Sequence, residues 1–173
     1  MVGSNGFSVR YYPDGTISNI AGPAIFNSNS GYLIGFLNTK IVKFLMSVLN
    51  PTLNNNVAEI NLLPLISIED LRLTNYSNSN ISISKKDWDS RETSWDFEGN
   101  PLIGQNKTNL VEAYQAWKSE VSQDFFQLHA NEEELNRIFI DIYGLQDELT
   151  PKVALKDITI LQDELKADDL EAL

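Results

Sequence analysis

Between Gly6 and Tyr12 the side chains alternate. Phe7, Val9 and Tyr11 fall on one face and Ser8, Arg10 and Tyr12 on the other, the period of a half-buried strand. Pro13-Asp14-Gly15 has turn chemistry. Thr16 to Ile20 and Ala24 to Phe26 can return as strands, so a hairpin with an irregular return arm is expected. From Gly31 to Leu49 the pattern changes to a broad helical stripe of Tyr32, Leu33, Phe36, Leu37, Ile41, Phe44, Leu45, Val48 and Leu49, capped by Ser30 and stopped by Asn50-Pro51. Asn38, Lys40, Lys43 and Ser47 mark its wetter side. Thr52 to Asn56 reads as a polar loop, Val57 to Leu62 as one helical turn and Leu63 to Ile66 as a short edge strand.

Ser67 to Ile83, rich in Ser and Asn, reads as a connector and boundary. Ser84 and Asp87 form an S-x-x-D capping box for a helix that places Trp88 and Trp95 on one face and ends at Gly99-Asn100-Pro101. Asn109 to His129 is a further helix. A third is capped by Asn131 and closed by Gly144, unless Ala130 to Glu134 joins the two into one. Asp157 to Leu161 suggests a strand and Asp163 to Leu173 a short acidic helix. The expected class is α+β: a mixed recognition piece at 1–66, a connector at 67–83, a helical region at 84–161 and an acidic tail at 162–173.

Charge divides the chain in the same place. Residues 1–66 carry Arg10, Lys40 and Lys43 against Asp14 and Glu59, a net of +1. Residues 67–173 carry ten basic and twenty-two acidic residues, a net of −12 within a total of −11. The acidic part is a poor nucleic-acid surface, whereas the near-neutral part can approach a phosphate backbone. The 173 residues contain no cysteine, which excludes disulfides and thiolate zinc sites and suits the cytoplasm. A spanning helix is not expected, because no apolar run is long enough.

Candidate chemistry is sparse. The single histidine, His129, reads as a surface or helix-end residue, and no nucleophile elbow, phosphate loop or H-E-x-x-H occurs. Asp87-x-Asp89 is the closest carboxylate pair, placed where acids favour a helix start. Asn50-Pro51 is followed by Thr52-Leu53 rather than by Pro and an aromatic residue, and no Gly-rich loop follows a strand. The chain is therefore not expected to be an adenine methyltransferase on its own or to bind a methyl donor. Trp88, Trp95 and Trp117 read as core at helical spacing. Asn54, Asn55 and Asn56 are either a plain polar loop or bidentate readers of adenine. Arg10, Tyr11 and Tyr12 suit phosphate or base contact and strand packing equally.

Three blocks carry a resemblance. Gly35-Phe36-Leu37-Asn38-Thr39-Lys40-Ile41, then Leu49 to Asn54 and Val57 to Pro64, resembles the end of a DNA target-recognition domain. Ile83 to Phe97 and Asn131 to Leu145 resemble the C-terminal region of the large adenine-specific DNA methyltransferases of the BREX phage-defence system, the PglX type, related to type II restriction-modification methyltransferases. The resemblance covers most of residues 7–161; Ser67 to Asn80 matches poorly. It implies a non-catalytic specificity fragment of a split or disrupted longer gene. The family's S-adenosylmethionine would belong to a domain not included in it, and no cofactor or metal is implied for this chain. Double-stranded DNA would be held by Arg10, Tyr12, Lys40 and Lys43, with base reading by Asn54, Asn55 and Asn56. The acidic helical part would dock the methyltransferase domain or other defence proteins. The alternative is an acidic interaction module that never touches DNA. Exposed strand edges would predict a homo-oligomer.

Overall fold

The computed structural model describes residues 6–13, 15–19, 22–26, 29–50, 52 and 57–161. These form helices α1 (Ser30–Leu37), α2 (Lys40–Leu49), α3 (Val57–Ile60), α4 (Leu71–Asp89), α5 (Pro101–Gly104) and α6 (Leu110–Tyr143), then a 3₁₀ turn at Leu155–Asp157. No β-strand occurs among the described residues; their isolated bridge joins Asn19 to Gly22. This overturns the expected α+β class. The alternation at Phe7, Val9 and Tyr11 does bury Phe7 and half-bury Val9, though Tyr11 is exposed, but a segment becomes a strand only with a ladder partner. Here a side chain takes that place: Val9 N donates to Asn38 Oδ1 and Asn38 Nδ2 donates to Val9 O, both at 3.0 Å. The edge strand expected at Leu63 to Ile66 likewise has no ladder and turns back on itself, Leu65 N donating to Leu63 O at 2.9 Å. Its carbonyls at Pro64 and Ile66 accept from the hydroxyls of Tyr143 and Tyr32. Burial holds both phenols above their ordinary pKa, aided at Tyr32 by nearby Tyr143.

The single helix expected over 31–49 is two helices meeting at 65°. Asn38 closes α1 by donating from Nδ2 to Ile34 O, and Thr39 Oγ1 donates to Phe36 O at 2.7 Å while capping α2. Lys40 N, an orphan donor of the α2 first turn, is accepted by the buried Asn136 at 2.9 Å. Short polar side chains that bond local backbone compete with helix continuation. Of the positions read as a wetter side, Asn38 is therefore part of a corner and Lys40 opens α2 just after it, whereas Lys43 and Ser47 are exposed on α2 as expected. The N-cap of α1 is Asn29, one residue before the expected Ser30.

Helix α4 starts where Asp70 Oδ1 accepts from Arg72 N and then runs through the segment read as a connector. Ser84 lies in mid-helix and caps nothing. The helix forms despite its Ser and Asn content because Leu73 and Ser77, four residues apart, are buried on one face and Ile83 is buried further along, and burial outweighs propensity. Helix α6 is continuous. Asn131, read as a cap, is buried inside it, donating to Asn80 Oδ1 (2.8 Å) and Ser79 Oγ (3.1 Å) and accepting from Gln127. Gly144 ends α6 as expected, at φ +64°, with its own N bonded to Asp141 O and Leu145 N to Ile140 O, a Schellman closure. Gly144→Ala should therefore cost about 1 kcal/mol, read from the urea midpoint; an unshifted midpoint would show that the left-handed residue carries no strain.

The chain divides into two units, 1–78 with 134–151 and 79–133 with 152–173, with divisions inside α4, inside α6 and in the segment after α6. The first unit's core joins Phe36, Leu37, Ile41, Val42, Met46, Leu73, Ile138 and Phe139. Phe139 meets Tyr32 at 5.6 Å and Phe36 at 5.5 Å between ring centroids, and Tyr143 stacks on Phe36 at 5.9 Å. The second unit's core joins Ile83, Phe125 and Leu128 to Ile158, Ile160 and Leu161. The segment expected as a strand at Asp157 to Leu161 thus delivers core residues without a ladder, anchored by Leu161 N on Asp87 Oδ1 at 3.2 Å. The acidic helix expected at Asp163 to Leu173 lies outside the described residues. No single described helix is long and apolar enough to cross a membrane. Helices α1 and α2 pass that test together by length and composition, but they bend at 65° and bury Phe36, Leu37, Ile41 and Val42 in the protein.

Candidate nucleic-acid interface

In the first unit, the Asn38 side chain fixes where the N-terminal arm goes. By gripping both backbone groups of Val9, it pins that arm to the α1–α2 corner. Arg10 directly follows the pinned residue and is exposed, and Tyr12 is exposed two positions on. Lys40 opens α2 two residues after Asn38 and is half-buried, while Lys43 is exposed one turn later. The structure therefore ties the segment that carries Arg10 and Tyr12 to Asn38, two residues before Lys40 in the chain. Asn54, Asn55 and Asn56 lie outside the described residues.

Helix α2 contains Lys40 and Lys43 and no carboxylate, in a chain of net charge −11. Phe44 and Val48 stay 58% and 67% exposed on it, although they were read as part of a buried stripe. Beyond the 65° break Ile41 is buried as expected, but Val42 and Met46, outside the expected stripe, face the core with it. Sequence reading also missed Asn38 as the positioning residue. Its signal was present: an Asn inside an apolar helical run is a candidate terminator.

The second unit is a poor anion site. Lys85 holds Asp89 at 2.5 Å and Asp96 at 2.6 Å, and those hydrogen bonds raise its pKa well above the ordinary lysine value. Lys86 holds Glu120 at 2.5 Å and Asp124 at 2.7 Å. Burial alone would lower its pKa, but the bonds to Asp124 and Glu120 outweigh it and the pKa rises. Asp87 accepts from Leu161 N and pairs with Arg91, so Asp87-x-Asp89 is bonded into the fold rather than poised for acid–base work. His129, expected at a surface or helix end, lies within α6 with Nε2 at 2.8 Å from Val153 O and 3.5 Å from Glu133. Trp88 and Trp95, expected in the core, are exposed. Helix α4 stops at Asp89, so Trp95 never shares a helical face with Trp88.

A cavity of about 270 Å³ in the second unit is walled by Tyr114, Trp117, Leu102 and Ile160, and the charged groups on its wall are bonded to one another. One of about 240 Å³ in the first unit is apolar, with Asn61 as its polar side chain. Neither wall matches the charged amino-acid and ribose groups of S-adenosylmethionine, and no role for these residues with it follows. No cluster of three metal-ligating side chains occurs among the described residues.

No protein-family model matches the chain. Two characterised proteins do. The adenine-specific methyltransferase PglX of Lacticaseibacillus casei (strain Zhang) is 37% identical over 179 residues, covering 96% of this chain and 15% of that protein. The adenine-specific methyltransferase BrxX of Escherichia coli O9:H4 (strain HS) is 32% identical over 155 residues, covering 87% of this chain and 13% of that protein. The chain thus spans about one seventh of the length of these relatives.

Proposed function

The chain belongs with the PglX-type adenine-specific methyltransferases of BREX phage defence, of which it spans one segment, and from that premise we propose that the segment selects the DNA site without catalysing the transfer. The observation that carries this reading is the α1–α2 corner. There Asn38 holds the Arg10 arm against the start of a helix whose charged residues are Lys40 and Lys43. Arg10, Lys40 and Lys43 hold phosphate, Tyr12 packs on the backbone, and Asn54 to Asn56 read base edges. Double-stranded DNA is the partner, and the methyl transfer itself lies with the rest of the methyltransferase.

Fluorescence anisotropy on a mixed-sequence duplex tests this at several salt concentrations. Affinity should fall steeply with salt, and Arg10→Ala or Lys43→Ala should each reduce the log–log slope by about 0.9. Replacing Asn54, Asn55 and Asn56 together with Ala should flatten the sequence preference while leaving that slope alone. A chain that binds no duplex at low salt would defeat the reading.

A second reading is favoured by the exposed Trp88 and Trp95 beside lysines already satisfied by carboxylates. In it the acidic unit docks another protein, and binding to that protein changes little with salt.

A further inference from the structure

The exposed side of α2 combines features that phosphate binding alone does not require. Lys40, Phe44, Ser47 and Val48 stand at i, i+4, i+7 and i+8, so they share one side of the helix, with Lys43 flanking them. Phe44, Ser47, Val48 and Lys43 are exposed and Lys40 is half-buried. Opposite them Val42 and Met46 are buried, and Ile41, on the border of the exposed side, is buried as well, so the exposed side cannot turn inward without emptying the core. Phe44 and Val48, four residues apart, keep two apolar side chains adjacent on the surface, which suits a contact site. The helix itself contains no acidic residue and Lys43 is exposed beside the patch, a charge balance that fits a polyanion better than an acidic protein's apolar face.

We propose that α2 enters the DNA major groove and that Phe44, supported by Val48, reads thymine through its C5-methyl group. This rests on the DNA-binding reading above and adds to it a specificity-determining residue. A major groove about 12 Å wide admits an α-helix, and thymine's methyl is the apolar feature of its floor. Ten residues give α2 a length of about 15 Å, enough to lie across several base pairs. The chemistry of the substrate agrees: a duplex site that contains adenine carries thymine opposite it, so a methyl contact is a direct way to register an A·T pair. Lys40 and Lys43 at the same helix then meet the phosphates that border the groove.

The test compares a duplex selected by the chain from a random pool with the same duplex bearing deoxyuridine for thymine, one position at a time. Deoxyuridine pairs as thymine does and lacks only the methyl. At one contacted position the unaltered chain should lose about fourfold in affinity on that exchange, the effect of one buried methyl. Phe44→Ala should bind the thymine duplex about as weakly as the unaltered chain binds the uridine duplex, and should be indifferent to the exchange. Its salt slope should be unchanged, whereas Lys43→Ala should lower the slope and keep the sensitivity to uridine. Phe44 is exposed, so the variant should keep the parent's melting temperature, which is measured alongside. Equal affinity of the unaltered chain for every uridine duplex would overturn the proposal while leaving DNA binding standing, as would a Phe44→Ala variant that still discriminates. Loss of affinity on Phe44→Ala for the methyltransferase body instead of for DNA would reassign the face to protein docking. No duplex binding at all would remove the DNA reading and this inference together.

Discussion

Phe139→Ala is expected to lower the stability of the protein by about 3–5 kcal/mol, the usual range for truncating a fully buried phenylalanine. Phe139 is 0% exposed and packs between the rings of Tyr32 and Phe36, with Leu73 and Ile138 in the same core. Removing the ring takes away its transfer free energy and leaves a void bounded by α1 and α6. The aromatic pairs add about 0.5–1.5 kcal/mol each beyond their area. Set against a total stability on the order of 5–15 kcal/mol, this is enough to unfold a large share of the molecules at physiological temperature. Urea unfolding followed by far-UV circular dichroism reads the effect. A loss below about 1 kcal/mol would mean that the aromatic cluster does not organise the first unit.

Gly35→Ala should cost about 1–3 kcal/mol, and the added replacement Ser77→Ala should return most of it. A Cβ on Gly35 would stand 2.5 Å from Ser77 Oγ, far inside contact distance, yet 3.8 Å from Ser77 Cβ. The clash therefore lies in the hydroxyl and not in the α4 backbone. Ser77 Oγ is buried and has no hydrogen-bond partner among the described residues, so Ser77→Ala alone should be neutral or slightly stabilising. The three variants form a cycle whose coupling energy isolates the α1–α4 contact. If the double variant is as unstable as Gly35→Ala, glycine is required at position 35 for some reason other than this approach.

Both effects depend on a crossing that local patterns do not announce. Gly35 lies in an apolar run, and Ser77 lies in a stretch whose Ser and Asn content reads as linker. Only the close approach of α1 to α4 makes the small residue necessary on one side and lets the polar one be buried on the other. The same holds at Asn131 and Asn136. Asn131 reads as a helix cap and nothing local marks Asn136, yet each is buried and bonded to residues distant in sequence. For Trp95 the error ran the other way: helical spacing suggested core, but the helix ends six residues earlier, at Asp89, and the ring is left in water.

The sequence by itself determined the features that local chemistry settles. These are the apolar stripes of α1 and α6, the left-handed stop at Gly144, the one-turn helix at Val57–Ile60, the charge division and the kinship with PglX-type methyltransferases. Each depends on residues within a turn or two of one another, or on a pattern long enough to compare. The tertiary structure alone decided whether extended segments became strands, where the long apolar run broke, and which face of α2 stayed outside. A strand needs a partner ladder, which period-two alternation cannot supply. Here the Asn38 side chain met the Val9 backbone in place of a neighbouring strand, and Thr39 and Asn136 turned the helix at the same corner. That corner, assembled from residues 9, 38, 39 and 136, is what ties the Arg10 segment to the start of α2 and leaves Phe44 on the surface.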